Sequence, residues 1–248
     1  MRVISYSLFG SRTTEPWLFN FYLRGFVWNV KMNKLIYPGW QTHVEIDADT
    51  FSDYDHIFYG LKQHYGISYN VNIQEPLCKS MLWRLKPVFW ENSEVVLCRD
   101  ADAITTARER NAVNEAMLFE WDILSLSDNP AHALPIMGGM SGFRSKKVRD
   151  VFKSWDNLFF KNKNLTLHGS DQGLLMDLFY HDGYTIKYIT AKPSVPKELL
   201  WTSDLTCRHI GSAGVVEMET IRFFKQHDGN SPFIEIEKKY PNTFYWHL

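Results

Sequence analysis

The segment Glu94-Val95-Val96-Leu97-Cys98 is a continuous apolar, β-prone run that ends directly in Arg99-Asp100-Ala101-Asp102. A strand with no polar alternation is buried on both faces, which is the habit of parallel sheets covered by helices. Ligands of open α/β sheets bind outside the carboxyl ends of the strands, so residues that follow such a strand are placed for chemistry. In extended geometry Asp100 and Asp102 point to the same side and can share one divalent cation. A cation there can bridge two linked phosphates and neutralise charge on a departing group. Asp-x-Asp also occurs in solvated turns, and the preceding strand is what favours the metal reading.

The rest of the chain fits around that strand. Val3 to Phe9, closed by Gly10, reads as a buried first strand. From Pro16 to about Lys31 apolar residues recur on a helical period, with Pro near the start. Leu35-Ile36 leads into a Pro38-Gly39 turn, and Thr42 to Ile46 alternates like a second strand before another turn, giving the opening of a βαβ unit. Met81 to Trp90 is mixed apolar and basic, and Ala107 to Trp121 has an amphipathic helical period. Asp128-Asn129-Pro130 is a turn, and Leu134 to Phe143 is a glycine-punctuated strand and loop. Helices are expected over Lys146 to Phe160 and from His168 through Phe179, with a late strand near Tyr184 to Ile189. No repeat or linker is visible, so residues 1–248 are expected to form one α/β domain.

Composition excludes several classes. Apolar residues are 45% and charged residues 22%, which argues against disorder and fibrous repeats. The net charge of -1 supplies no field to draw in a polyanion. The 3 cysteines, at 78, 98 and 207, have no metal-type spacing and no disulfide arithmetic, which fits a reducing, cytoplasmic setting. Met1 to Tyr6 has no basic leader before an apolar stretch, and Trp17 to Val30 contains Asn20, Arg24 and Asn29, so neither a signal peptide nor a transmembrane span is expected. Aromatics at 15% fit a ring-rich core, with sugar or base stacking as the other reading.

Other residues carry two readings each. His209, in Cys207-Arg208-His209-Ile210-Gly211, is either a hydrogen-bonding imidazole or a third, nitrogen ligand that suits Mn²⁺ better than Mg²⁺. Asp171 and Gln172 open a helix, where an acidic group caps free N–H groups; alternatively Asp171 faces a positively charged sugar centre and Gln172 bonds sugar hydroxyls. Lys79 and Arg84 are either surface cations or long donors to diphosphate oxygens. Arg144, Lys146, Lys147 and Arg149 form either a solvated helix start or a patch for a charged acceptor.

In order along the chain, Asp100-Ala101-Asp102, Gly138-Gly139-Met140-Ser141-Gly142, Asp171-Gln172-Gly173-Leu174-Leu175 and His209-Ile210-Gly211 resemble the glycogenin-like retaining glycosyltransferases of the GT-A fold. The resemblance covers about Lys79 to Gly211. It implies a mixed, mostly parallel sheet flanked by helices and a nucleotide-sugar donor. It implies that Asp100, Asp102 and His209 hold Mn²⁺ (or Mg²⁺) on the diphosphate and that Asp171 and Gln172 sit beside the transferred sugar. Gly211 would then let backbone approach the phosphates, Leu8, Phe9 and Gly10 would line the base pocket, and transfer would proceed with retention. The chain departs from the family in having Gly138-Gly139 and then Ser141-Gly142 where Asn-Ser-Gly is usual. Arg99 to Asp102 followed by Arg108-Glu109 is also similar to a looser group of phage, viral and bacterial polysaccharide-type transferases.

Two other classes compete: a metal-dependent nucleotidyltransferase acting on a sugar phosphate, and a non-catalytic sugar-binding module. The first needs a Gly-rich basic phosphate loop, of which Phe9-Gly10-Ser11-Arg12 is a poor version. The second needs no metal. The acceptor stays open among a polysaccharide, a protein, a metabolite and a modified nucleic acid.

Overall fold

The computed structural model describes residues 1–73, 75–103, 105, 107–126, 134–159, 170–180 and 183–189. Among them seven strands form one sheet: β1 (Arg2–Leu8), β2 (Gln41–Asp47), β3 (Ser68–Asn72), β4 (Val95–Arg99), β5 (Ile123–Leu126), β6 (Met140–Arg144) and β7 (Ile186–Ile189). Their spatial order is β3-β2-β1-β4-β6-β5-β7. Every neighbouring pair is parallel except those of β6, which runs antiparallel to both β4 and β5.

The central strands alternate between two cores. Ile4, Tyr6, Leu8 and Leu97 face α1 (Pro16–Ile36) and α2 (Ala48–Tyr65), packing on Phe19, Leu23, Phe26 and Phe58. Val3, Val96 and Cys98 face the other side, against Leu82, Leu85, Phe143, Val148 and Phe179. That double burial is why β4 reads as an unbroken apolar run and β1 as one interrupted only by Ser5 and Ser7.

The expected βαβ opening is observed as β1, α1 and β2 with β1 and β2 parallel. Helix α1 extends five residues past the expected Lys31, because Met32 and Ile36 continue its buried stripe. After β2 the chain does more than turn. Asp47 caps α2 by accepting from the Thr50 N–H at 2.9 Å, and Gly66 ends it in the left-handed conformation at φ 69° before β3.

The mixed stretch after residue 76 is α3 (Leu77–Leu82) running into a 3₁₀ segment, Trp83–Phe89. Helix α4 (Ala107–Ala116) stops short of Trp121, whose indole N–H instead donates to the Ala116 carbonyl at 3.0 Å, and β5 follows where no strand was expected. Helix α5 (Ser145–Phe152) ends at Lys153, which has φ 64°. The shorter α6 (Ser170–Leu175) passes into a π turn, Met176–Tyr180, ahead of β7. The Asp128 to Pro130 turn lies outside the described residues. No helix among the described residues is long and apolar enough to cross a membrane.

Candidate functional site

The carboxyl ends of β1 and β4 lie side by side, and the chain there surrounds a cavity of about 410 Å³. Ser7, Leu8 and Phe9 come from the end of β1, Leu18 and Tyr22 from α1, Leu77 and Met81 from α3, and Arg84 from the 3₁₀ segment. Asp100, Ala101, Asp102, Gly139, Asp171 and Gln172 complete the lining with Thr14.

Asp100 and Asp102 sit in a turn closed by the Ala103 N–H donating to the Asp100 carbonyl at 3.2 Å, so the pair is not extended as the strand pattern suggested. Both still face the cavity. The turn is held from α1. Asn29 Nδ2 donates to the carbonyls of Ala101 and Ala103, each at 3.0 Å, and its Oδ1 accepts from the Thr105 N–H at 2.8 Å. Asn33, one turn on, holds the segment beyond the turn, accepting from Thr105 Oγ1 at 2.9 Å. In the sequence Asn29 and Asn33 show only as polar residues inside an apolar helix stripe.

Charge in the cleft is organised by Arg84. Its guanidinium pairs with Asp100 and reaches Asp171 Oδ2 at 3.4 Å, while Arg84 and Asp171 are only 4% and 1% exposed. Burial alone would lower the Arg84 pKa; the charges of Asp100 and Asp171 outweigh it and raise it. Asp171 Oδ1 has no hydrogen-bond partner among the described residues. Asp102 is pushed up to about 6, first by burial and then by the charge of Asp100. The same two carboxylates, after burial, raise the Tyr22 phenol.

Register explains the glycines. Arg99 is paired with Met140 across β4 and β6, which sets Gly139 beside Asp100. A Cβ on Gly139 would stand 1.8 Å from Asp100 Oδ2, and one on Gly138 would stand 2.9 Å from an Arg84 nitrogen and 3.0 Å from Asp171 Oδ2. Only a residue without a side chain leaves those groups where they are.

The other expected site residues fall in several places. Gly10 is not on the cavity wall; its N–H donates to Asp47 Oδ2 at 3.0 Å, tying the end of β1 to the start of α2. Lys79 pairs with Glu75 and lies over the Phe159 ring, away from the lining. Arg99 turns from the cleft into the core, where its Nε donates to Glu109 at 2.7 Å. His209 and Gly211 lie outside the described residues. The basic run is largely spent inside the fold: Arg149 donates to the carbonyls of Val88, Trp90 and Ser93, Arg144 stacks on Trp121, and Lys147 pairs with Asp122. Lys146 is the one that stands well exposed, beside Asp150.

Among the described residues no group of three or more His, Cys, Asp or Glu side chains is arranged to hold a metal ion. Asp100 and Asp102 nonetheless suit a hard divalent cation: two carboxylates share one cleft, one of them reluctant to ionise beside the other, and a cation relieves that repulsion.

No family model matches the chain, and no characterised sequence matches it either. Solved structures do. The mannosyltransferase PcManGT from Pyrobaculum calidifontis, in complex with GDP-Man and Mn²⁺, is similar at TM-score 0.50 and 13% identity, with 79% of this chain covered and 57% of that one. The 1–349 fragment of S. aureus TarS is similar at TM-score 0.50 and 12% identity, covering 98% of this chain and 78% of that one. At such identity the likeness concerns the fold, which is the α/β architecture of GT-A nucleotide-sugar transferases with a mixed, mostly parallel sheet flanked by helices.

Proposed function

We propose that the chain is a metal-dependent glycosyltransferase that moves a sugar from a nucleotide-diphosphate donor to an acceptor hydroxyl with retention of configuration. The observation that carries this reading is the convergence of Asp100, Asp102, Arg84 and Asp171 on one cleft at the carboxyl ends of β1 and β4. A fold shared with a mannosyltransferase in complex with GDP-Man and Mn²⁺ supports it.

In this reading Asp100 and Asp102, with His209, hold Mn²⁺ or Mg²⁺. The cation, when bound, neutralises the diphosphate leaving group. Leu8 and Phe9 supply an apolar wall for the base. Arg84 contributes a permanent positive charge that can exchange a carboxylate partner for a phosphate oxygen. Asp171, already buried with one oxygen unpartnered, stabilises the positive charge that develops at the anomeric carbon, and Gln172 hydrogen-bonds sugar hydroxyls. Gly138 and Gly139 keep this cluster free of side chains, and Gly211 does the same at the phosphates. The acceptor carries a hydroxyl and is a polysaccharide, a protein, a metabolite or a modified nucleic acid. With Arg144, Lys147 and Arg149 engaged by Trp121, Asp122 and backbone carbonyls, that basic run offers little free charge for the last of these.

The test is to incubate purified protein with Mn²⁺ and a panel of nucleotide-sugars without acceptor and follow nucleoside diphosphate release. Slow release from one donor, lost on chelation and in Asp102→Ala, is expected. If no donor is hydrolysed and none stabilises the protein with Mn²⁺ in a thermal-shift assay, the glycosyltransferase reading fails.

A further inference from the structure

Helix α1 carries Gly25, Asn29 and Asn33 at a spacing of four, which places them on one stripe of the helix. Two of the three touch the turn that bears Asp100 and Asp102. A Cβ on Gly25 would stand 2.4 Å from the Ala101 carbonyl oxygen and 2.9 Å from the Asp102 Cα, so helix and turn meet backbone to backbone. Asn29, 0% exposed, spends both Nδ2 hydrogens on the carbonyls of Ala101 and Ala103 and accepts from the Thr105 N–H. Ala101 lies between the two carboxylates, and the orientation of its peptide units helps set where each carboxylate points.

We infer that Asn29 is a positioning residue for the cation site: it fixes the Ala101 to Ala103 backbone so that Asp100 and Asp102 face the cleft together. The inference rests on the metal reading proposed above. Its distinguishing feature is that the grip comes from the helix that also supplies Leu18 and Tyr22 to the cleft wall. A cleft that is filled against α1 and a cation bound at the turn therefore share one support.

Asn33 provides the comparison. It is 2% exposed and makes buried hydrogen bonds of the same kind, to Tyr6 Oη at 3.0 Å, Thr42 Oγ1 at 3.3 Å and Thr105 Oγ1 at 2.9 Å. None of these reaches residues 100–103. Loss of Asn33 thus removes buried polar contacts from the same helix stripe without releasing the turn.

The experiment measures Mn²⁺ binding alone, from the free-ion signal in electron paramagnetic resonance, on the full chain and on Asn29→Ala, Asn33→Ala and Asp102→Ala. Both asparagine variants are expected to melt at lower temperature. Only Asn29→Ala is expected to lose Mn²⁺ affinity, by about tenfold to a hundredfold, the usual effect of removing a group that orients metal ligands. Asn33→Ala is expected to stay within about twofold of wild type on the same scale. If Asn29→Ala does not fold, Gly25→Ala presses on the same carbonyl from the same helix and is expected to give the same loss of affinity. Asn29→Ala binding Mn²⁺ like wild type overturns the inference, as does an equal loss in Asn33→Ala, or, in the second case, Gly25→Ala binding like wild type. A wild-type chain that binds no Mn²⁺ overturns the metal reading and this inference together.

Discussion

Replacing Arg84 by Met removes the single guanidinium that spans two carboxylates of very different exposure. Asp100 is about half exposed, so water takes over its solvation and the loss on that side is about 0–1 kcal/mol. Asp171 is 1% exposed and keeps no other hydrogen-bonding partner among the described residues. Breaking a buried pair by removing one partner costs about 3–5 kcal/mol, because the remaining charge is left uncompensated. For a chain of this length that corresponds to a fall in Tm of about 6–20 °C. The double variant Arg84→Met/Asp171→Asn takes away the stranded charge and is expected to recover about 2 kcal/mol of the loss. Urea or thermal unfolding of wild type, both singles and the double at neutral pH, without divalent cations, measures the coupling. Arg84→Met destabilising by less than about 1 kcal/mol, or a double variant no more stable than Arg84→Met, would refute the argument that Arg84 is the counter-charge of Asp171.

Asp102 should make the cation-free protein less stable as pH rises. Its pKa is raised from 3.8 in the unfolded chain to about 6 in the folded one, so the folded state holds the proton more tightly and the penalty is absent below pH 3.8 and complete above about 6. Asp102→Asn is accordingly expected to exceed wild type by about 3 kcal/mol near pH 8 and to match it near pH 3.5, in unfolding curves recorded with chelator; a pH-independent difference would contradict this. Gly139→Ala sets a Cβ 1.8 Å from Asp100 Oδ2, so the carboxylate must move, and Mn²⁺ affinity measured by titration is expected to fall by about tenfold or more. Lys79→Ala removes an ion pair with Glu75 away from the cavity lining, so nucleoside diphosphate affinity should change by less than about twofold, and a larger loss would put Lys79 at the diphosphate after all.

The sequence exposed the parts of this fold whose periodicity is set by double burial. β1, α1 and β4 carry apolar residues dense enough to read directly, and β2 shows itself by the alternation of Thr42 to Ile46. Helix α2 and strands β3 and β5 do not. α2 buries only Thr50, Ile57, Phe58 and Leu61 among polar neighbours, β3 is a half-exposed edge strand, and β5 has four residues. At the cleft, Asp100, Asp102, Asp171 and Gln172 were visible as motif residues, and Arg84 as one of two candidate cations. The roles of Arg84, Gly138 and Gly139 depend on the antiparallel register of β6 against β4 and on where the 3₁₀ segment lies, which are tertiary facts. Arg99 and the basic run show the converse. Their partners are a glutamate ten residues away, an indole face and three backbone carbonyls, so a charge pattern that looks solvated or functional in one dimension is absorbed by the fold in three.

The central claim is a cation-dependent nucleotide-diphosphate site on Asp100 and Asp102. Its most direct test is calorimetric titration of the common nucleoside diphosphates into the protein with Mn²⁺ and then with chelator, repeated on Asp100→Ala/Asp102→Ala. The account predicts that at least one diphosphate binds with Mn²⁺, and that affinity falls by about tenfold or more on chelation and in the double variant while the protein remains folded. Binding of equal strength with and without Mn²⁺, or no binding of any diphosphate to the wild-type chain, would contradict it.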